Sequence, residues 1–361
     1  MVLRNGSPVV LAGLIGIACC GCGPQGGAAT APAASSSTNA PTEAPPVAKP
    51  DRAPETTGAP EVAAPKPSGP PPVVKVAVGK EPNYVNLIPK EAPPVPTFPA
   101  LDKKPGHLRG YVKDAAGKPL QGAYIGVRST VVGGRYSGAH AESDEKGYYE
   151  VQVPLGAAHF YAAGYTVDYA DGRAALSLHP ADGKLTSFAS ADGSVENFVL
   201  WTYGAADKDG LSENPRLRSN FYGGSLYIGH HLNEPGEALG LPNNLTTGTE
   251  IEVTLTPEGR LLDGSVGKTF VVRKAVFSTG FAINNIPVGQ YRLTAKRADG
   301  QPLKMRLNKP SGLAFGIVPK ETTEGAVLSL HPGGAKAGMV TPGRGSWEAV
   351  EVYVEIPESK K

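Results

Sequence analysis

Residues 264–269 end in Gly-Lys-Thr, as a phosphate-binding loop does, where backbone amides and a lysine hold the phosphate. The motif requires a glycine where Leu262 stands, and the flanking residues have strand patterns instead of a strand followed by a helix. Ser137, in Gly134-Arg-Tyr-Ser-Gly, is out of register for a nucleophile elbow, and no helical pattern follows it. We therefore expect neither phosphate binding nor serine hydrolysis.

Two other segments contain residue types that bind metals. His230 and His231 are adjacent, but neighbours in a strand face opposite sides, so one metal ion could not easily use both. Residues 207–213, Asp-Lys-Asp-Gly-Leu-Ser-Glu, resemble the start of a calcium loop but lack its third ligand position and a correctly spaced bidentate glutamate. All three cysteines lie within the first 22 residues, so the rest of the chain has no cysteine zinc site. The sequence predicts no metal and no other cofactor.

Acids, histidines and hydroxyl groups are otherwise spread singly over predicted turns. Catalysis needs a nucleophile or metal, a base and an orienting group within about 3 Å of one another. We therefore expect no enzyme activity. One alternative stays open, which is a site assembled between two modules from residues such as Asp168, His230 and Glu234.

Composition limits the other functions. The formal net charge is +2, and Lys and Arg are scattered among acids, so there is no basic stripe for a nucleic acid backbone. Gly (46) and Pro (35) are abundant while aromatic residues make up 7%, which suits short strands joined by tight turns together with a disordered segment.

The cysteines follow a short apolar run at residues 9–18, with Arg4 before it, and we interpret residues 1–22 as a signal sequence. The run is too short to cross about 30 Å of hydrocarbon. The stretch Gly16-Ile-Ala-Cys-Cys-Gly-Cys-Gly-Pro resembles the lipobox of bacterial lipoproteins, whose cysteine is acylated and becomes the new N-terminus. The resemblance implies lipid attachment at Cys20, with Cys22 and then Cys19 as alternatives, and membrane anchoring in the cell envelope. An ordinary cleaved signal that contains cysteines is the competing interpretation.

Residues 23–100 are dominated by Ala, Pro, Ser, Thr and Gly. Such a segment buries too little apolar surface to offset the entropy of ordering, so we predict a disordered linker that lifts the folded part off the membrane. Residues 73–78 alternate apolar residues with Lys75. They could alternatively add a strand to a neighbouring module, an interpretation that we rank below the linker.

From residue 107 onward, short apolar alternations separated by turn residues indicate an all-β module over residues 101–205. Several of its motifs resemble the carboxypeptidase regulatory-like family, a prealbumin-like seven-stranded β-sandwich. They are Gly110-Tyr-Val, Asp114-Ala-Ala-Gly-Lys-Pro-Leu-Gln-Gly-Ala, Ser143-Asp-Glu-Lys-Gly-Tyr and Val153-Pro-Leu-Gly. The resemblance implies a non-catalytic module that supports or binds other molecules.

A second module is indicated by a repeated pattern. Gly147-Tyr-Tyr-Glu-Val-Gln-Val-Pro-Leu-Gly recurs as Gly280-Phe-Ala-Ile-Asn-Asn-Ile-Pro-Val-Gly, and both copies end a strand in a Pro-x-Gly turn. We predict another sandwich over residues 216–358; chance similarity of two strand-turn-strand units is the alternative. The predicted fold class is therefore all-β, with tandem prealbumin- or immunoglobulin-like sandwiches.

Aromatic residues concentrate between residues 160 and 230. Most are expected in the core, but Tyr169, Trp201, Tyr203 and Tyr222 lie near predicted loops and are candidates for an exposed patch that stacks sugar rings or anchors a protein. The leading hypothesis is an envelope lipoprotein whose modules have structural or protein-binding roles. A carbohydrate-binding protein and a periplasmic hydrolase are the alternatives. Outward-facing rings grouped on one face would favour sugar binding, and a cleft with converging acids or histidines would favour an enzyme.

Overall fold

The computed structural model describes residues 69–358, except 79–82, 90, 131–133, 135, 234–241 and 309–313. All of the described residues belong to one compact unit that begins at Ala64. The predicted signal sequence with Cys19, Cys20 and Cys22, and the predicted linker as far as residue 68, lie outside the described residues. Within the described ranges, no helix is long and apolar enough to cross a membrane.

Strands make up nearly all of the regular structure in the described part of the chain, which confirms the all-β prediction. Helical structure there consists of α1 (Lys208–Glu213) and the 3-10 turns Arg218–Asn220 and Ala337–Met339. The first eleven strands are β1 (Val73–Val78), β2 (Tyr84–Asn86), β3 (His107–Asp114), β4 (Tyr124–Thr130), β5 (Tyr136–Glu142), β6 (Tyr148–Gln152), β7 (Ala157–Tyr169), β8 (Gly172–Pro180), β9 (Phe188–Ala189), β10 (Ser194–Val195) and β11 (Phe198–Leu200). The others are β12 (Gly224–Gly229), β13 (Leu232–Asn233), β14 (Leu245–Thr246), β15 (Glu250–Pro257), β16 (Thr269–Ala275), β17 (Gly280–Ile286), β18 (Gln290–Arg297), β19 (Lys304–Leu307), β20 (Gly316–Val318), β21 (Gly325–Ser329), β22 (His331–Pro332) and β23 (Trp347–Glu355).

The first sandwich consists of strands β3 to β11. They form one continuous sheet in the order β10-β3-β11-β8-β7-β4-β5, with β6 paired to β3 and β9 paired to β7. Alternate residues of β3 and β4 point into the core, where Leu108, Val112, Ile125 and Val127 are fully buried. The alternation of apolar residues along these strands therefore fixes which face is covered.

The turns of this sandwich follow the chemistry that the sequence predicts. The Asp114 carboxylate accepts hydrogen bonds from the backbone N–H groups of Ala116 and Lys118, at 3.0 and 2.9 Å. Asp144 repeats the arrangement with the N–H groups of Lys146 and Tyr148, both at 2.9 Å. Each aspartate thus holds a tight turn between two strands.

The second sandwich consists of two sheets. One has the order β1-β16-β15-β18-β21-β20, and the other has the order β19-β23-β12-β17-β2, with β22 paired to β23. Its core contains fully buried apolar side chains from both sheets, including Leu255, Leu293, Ile228, Ile283 and Val352. Burial of this kind contributes about 1.5–3 kcal/mol for each large side chain.

Each sheet of the second sandwich has one edge strand that comes from the segment predicted as linker. Strand β1 pairs in parallel with β16 over six residues, and β2 pairs in parallel with β17. Val85, Leu87 and Ile88 are buried in the core. We call β1, β2, Leu87 and Ile88 the strap.

The strap corrects the linker prediction over these residues: residues 73–78 form the added strand that we ranked below the linker, and residues 84–86 form a second strand. Local composition favours a linker, but the free edges of β16 and β17 supply backbone hydrogen bonds that this segment completes. The second sandwich thus contains strands from both sides of the first sandwich in the sequence.

Candidate binding sites at the sandwich junction

The two sandwiches meet along residues 333–346, which we call the junction loop. This loop connects β22 to β23 and lies across β7 and β8 of the first sandwich. Ala163 donates its backbone N–H to the Val340 carbonyl at 3.1 Å, and Ala175 donates to the Gly334 carbonyl at 2.9 Å. The junction is therefore bonded through the backbone as well as packed.

Tyr169 lies inside this junction. Its hydroxyl donates to the Gly289 carbonyl at 2.9 Å and accepts from the Leu330 N–H at 2.8 Å. Its ring meets the Trp347 ring edge-on, with centroids 5.5 Å apart, and only 5% of the residue is exposed. Tyr169 thus joins the end of β7 to two loops of the second sandwich.

Trp201 and Tyr222 are also buried, at 7% and 2% exposure, and form a cluster with His179. The His179 ring stacks on Trp201 with centroids 3.6 Å apart, and its Nδ1 lies 2.9 Å from the Tyr222 hydroxyl. Tyr203 is half-buried and packs against the main core. The prediction of an exposed patch is therefore wrong for Tyr169, Trp201 and Tyr222, because the second sandwich and its connections cover the loops that carry them.

His179 lines a cavity of about 370 Å³ together with Asp207, Lys208 and Arg344. Burial lowers the pKa of His179 to about 4; Lys208 lowers it further and Asp182 opposes the shift. The imidazole is therefore neutral at pH 7. Its Nδ1 interaction with Tyr222 is one between two neutral groups.

This burial predicts acid sensitivity. Because the folded-state pKa of His179 is lowered from 6.5 to about 4, the unfolded chain binds more protons between these pH values. The free energy of unfolding is therefore unaffected by the titration of His179 above pH 6.5. It falls as the pH drops towards 4, by at most about 3 kcal/mol, because protons bind the unfolded chain more tightly. Urea unfolding at several pH values should show a shallower acid loss for His179→Gln than for the wild type. The exposed His140→Gln is the control, and an unchanged pH slope in His179→Gln would rule out this role.

A groove of about 670 Å³ opens beside the junction loop, where residues 217–219 approach the start of β23. Buried Val340 and Trp347 line its base. Met339 is 81% exposed and Leu217 is 47% exposed, although both are large apolar residues. Exposed apolar side chains beside a concave surface are typical of interaction sites.

Basic residues outnumber acidic ones in this groove. Arg218, Lys336 and Arg344 line it, with Glu348 as the acidic member. Arg218 pairs with Glu348, and Arg344 pairs with Asp207 at 3.2 Å. Three positive and two negative charges leave a net charge of about +1 at the groove, and Lys336 is the basic lining residue outside these two ion pairs.

The other sequence candidates have separate surroundings where the structure describes them. Asp168 is exposed and pairs with Arg173 at 3.6 Å, His230 is 1% exposed, and Glu234 lies outside the described residues. Asp207 of the calcium-like segment caps α1 by accepting from the Gly210 N–H at 2.8 Å. The described residues contain no group of three or more His, Cys, Asp or Glu arranged to hold a metal ion.

The sequence did not single out the groove. Leu217 and Met339 lie in irregular segments without periodicity, and the chain brings residues 217–219 and 333–348 together only in the fold.

No known family model matches this sequence, and no curated protein matches it. Among solved structures, the Bacillus anthracis TIE protein matches with 12% identity over 70% of this chain and 34% of its own length, at a TM-score of 0.25. The Streptococcal ancillary pilin matches with 13% identity over 69% of this chain and 62% of its own, at 0.19. A C-terminal fragment of the pilus adhesin SpaC from Lactobacillus rhamnosus GG matches with 10% identity over 72% and 99%, at 0.21. The chain thus spans less than two thirds of the first two proteins, and the fold assignment rests on the strand pairing described above.

Proposed function

We propose that the protein is an exported lipoprotein of the bacterial cell envelope that binds a protein partner and catalyses no reaction. The lipobox-like stretch supports acylation at Cys20, with Cys22 and Cys19 as alternatives. The Pro- and Ala-rich residues 23–68 act as the linker that precedes the strap. The first sandwich, residues 101–205, is a module similar to the carboxypeptidase regulatory-like family, and residues 216–358 with the strap form the second.

The groove beside the junction loop is the observation that carries the binding role. Met339 and Leu217 leave large apolar surfaces in water, and burial of such side chains in a partner contributes about 1.5–3 kcal/mol each. Interfaces derive most of their affinity from a few central residues, so the groove is expected to contribute more than its surroundings. The hydrogen-bonded junction also fixes both walls of the groove before a partner arrives, which lowers the entropic cost of binding.

The charge of the groove indicates the chemistry of the partner. Lys336 beside an apolar base suits a partner segment that carries an acidic residue next to a large apolar side chain. The apolar side chain would contact Met339 and the base formed by Val340 and Trp347. Its acidic neighbour would face Lys336.

Placing a negative charge at Met339 should abolish this interaction. We expect the amount of envelope partner crosslinked to Met339→Glu to be lower by about tenfold or more, since the substitution removes the apolar anchor and repels acidic groups. Crosslinking in intact cells followed by quantitative mass spectrometry measures the change. Leu155→Glu is the matched control, because Leu155 is 76% exposed in a turn of the first sandwich. Equal recovery of the partner with both variants would refute binding at the groove.

The anchor has its own test. Replacing Cys19, Cys20 and Cys22 together with Ser should release the protein from the membrane fraction, because several acyl chains on one cysteine hold a protein to a bilayer. The single substitution Cys20→Ser is expected to have the same effect, whereas Cys22→Ser should not. A triple variant that stays in the membrane fraction after a salt wash would show that acylation is not what holds it.

A further inference from the structure

A second cavity adjoins the junction loop on the side of the first sandwich. Its volume is about 440 Å³. The side chains that line it carry hydrogen-bonding groups of several kinds, namely those of Gln121, Tyr124, Glu142, Tyr165, Arg173 and Lys336. Small-molecule sites in proteins have volumes of about 300–1,000 Å³, so this cavity is large enough for a ligand.

Tyr124 forms one wall of this cavity and links it to a group of rings on the open face of β4 and β5. The Tyr124 ring stacks on exposed His140, with centroids 4.8 Å apart and planes inclined by 15°. Its hydroxyl lies 2.8 Å from the Tyr161 hydroxyl. Burial and this hydrogen bond raise the pKa of Tyr124 to about 12, so the phenol keeps its proton at neutral pH.

A β-bulge places Tyr161 in this group. The register between β4 and β7 shifts after Gly126, which pairs with Ala162, while Val127 pairs with Phe160. Tyr161 is the extra residue of the bulge, and its ring occupies the space above Gly126. A Cβ atom at Gly126 would lie 2.5 Å from the Tyr161 ring, so the glycine is what permits the ring to lie there.

The chemistry of this surface suits a sugar. A pyranose ring has an apolar face of C–H groups, which pack on aromatic rings, and a rim of hydroxyls that both donate and accept hydrogen bonds. In the cavity, Glu142 supplies hydrogen-bond acceptors, and Arg173 and Lys336 supply donors. Side chains that both donate and accept come from Gln121, Tyr124 and Tyr165. Charges of both signs occur together, so no strong single-sign field selects an ionic ligand.

We propose that Tyr124, His140 and Tyr161, with the adjoining cavity, form a glycan-binding site distinct from the groove. The His140 and Tyr161 rings contact the sugar faces, Tyr124 lies between His140 and Gly338 and holds this group together, and the polar side chains of the cavity bind the hydroxyls. Ala335 and Lys336 line both the cavity and the groove, whereas Met339 lines only the groove, so a substitution of Met339 distinguishes the two sites.

The test is a glycan array probed with the full chain carrying Cys19→Ser, Cys20→Ser and Cys22→Ser, followed by calorimetry with the glycan that binds most strongly. Tyr161→Ala and His140→Ala should each weaken binding by about tenfold. Tyr111→Ala should leave it unchanged, because the Tyr111–Tyr148 ring pair lies on β3 and β6. Met339→Glu should also retain binding, which separates this site from the groove.

Two results would overturn the proposal: no glycan on the array binds the parent chain, or all of these variants bind equally. Thermal unfolding of each variant shows whether it folds. If Tyr161→Ala does not fold, His140→Ala decides the test, because removal of an exposed side chain is expected to leave the fold intact.

Discussion

A fragment that begins at residue 101 is expected to lose cooperative folding of its second sandwich, whereas a fragment that begins at residue 69 should unfold like the full chain. The shorter fragment lacks the strap, so the edges of β16 and β17 lose their hydrogen-bonding partners. It also lacks the buried side chains of Val85, Leu87 and Ile88, whose burial contributes roughly 5–9 kcal/mol in total. That loss is comparable to the whole stability of a typical domain, about 5–15 kcal/mol.

Urea unfolding followed by circular dichroism measures the difference, and limited proteolysis gives an independent check. Cleavage of the full chain should leave a resistant fragment that starts before residue 73. Adding a peptide of residues 69–99 to the shorter fragment should restore part of the lost stability. A fragment from residue 101 with the same unfolding midpoint as the full chain would show that the strap is dispensable.

Replacing Tyr169 should destabilise both sandwiches together. We expect Tyr169→Ala to lower the free energy of unfolding by about 3–5 kcal/mol, because it removes a buried ring and its packing on Trp347. Tyr169→Phe keeps the ring but leaves the Gly289 carbonyl and the Leu330 N–H without a hydrogen-bonding partner, so we expect a loss of about 1–3 kcal/mol.

Tyr111→Ala provides the comparison, since Tyr111 is half-exposed and its loss should cost about 1 kcal/mol. Denaturant unfolding monitored by tryptophan fluorescence and by circular dichroism measures each value. Coincident transitions in the wild type are expected from a hydrogen-bonded junction. If Tyr169→Phe unfolds like the wild type, the two hydrogen bonds at the junction do not contribute.

The all-β class and the turns could be read from the sequence because their determinants are local. The carboxylates of Asp114 and Asp144 accept hydrogen bonds from backbone N–H groups two and four residues ahead, so a short sequence motif is enough to predict each turn. Alternation along β3 and β18 likewise predicts which face is buried. The alternation at residues 73–78 is compatible with a strand, but the pairing partners β16 and β17 lie far along the chain and the surroundings are rich in proline, so the sequence favours a linker there.

The binding sites were less accessible to sequence reasoning. Aromatic residue type does not tell whether a neighbouring sandwich will cover a ring, so the sequence offers Tyr169, Trp201 and Tyr222 as candidates for an exposed patch although all three are buried. Tyr161 instead reaches the open face through a bulge, which depends on the register of two strands. Tyr124, Tyr161 and His140 come together only through the pairing of β4 with β5 and β7, which residue types alone do not show.

The proposal that the groove binds a protein segment with an acidic residue next to a large apolar side chain is tested most directly by a photo-crosslinking amino acid placed at position 339 of the full chain in intact cells. Met339 is 81% exposed at the groove, so the probe is expected to form one discrete adduct with an envelope protein, attached at a segment of that kind. The same probe at position 155, which is 76% exposed on the first sandwich, should form no such adduct. Absence of an adduct at position 339, or the same adducts at both positions, would contradict binding at the groove.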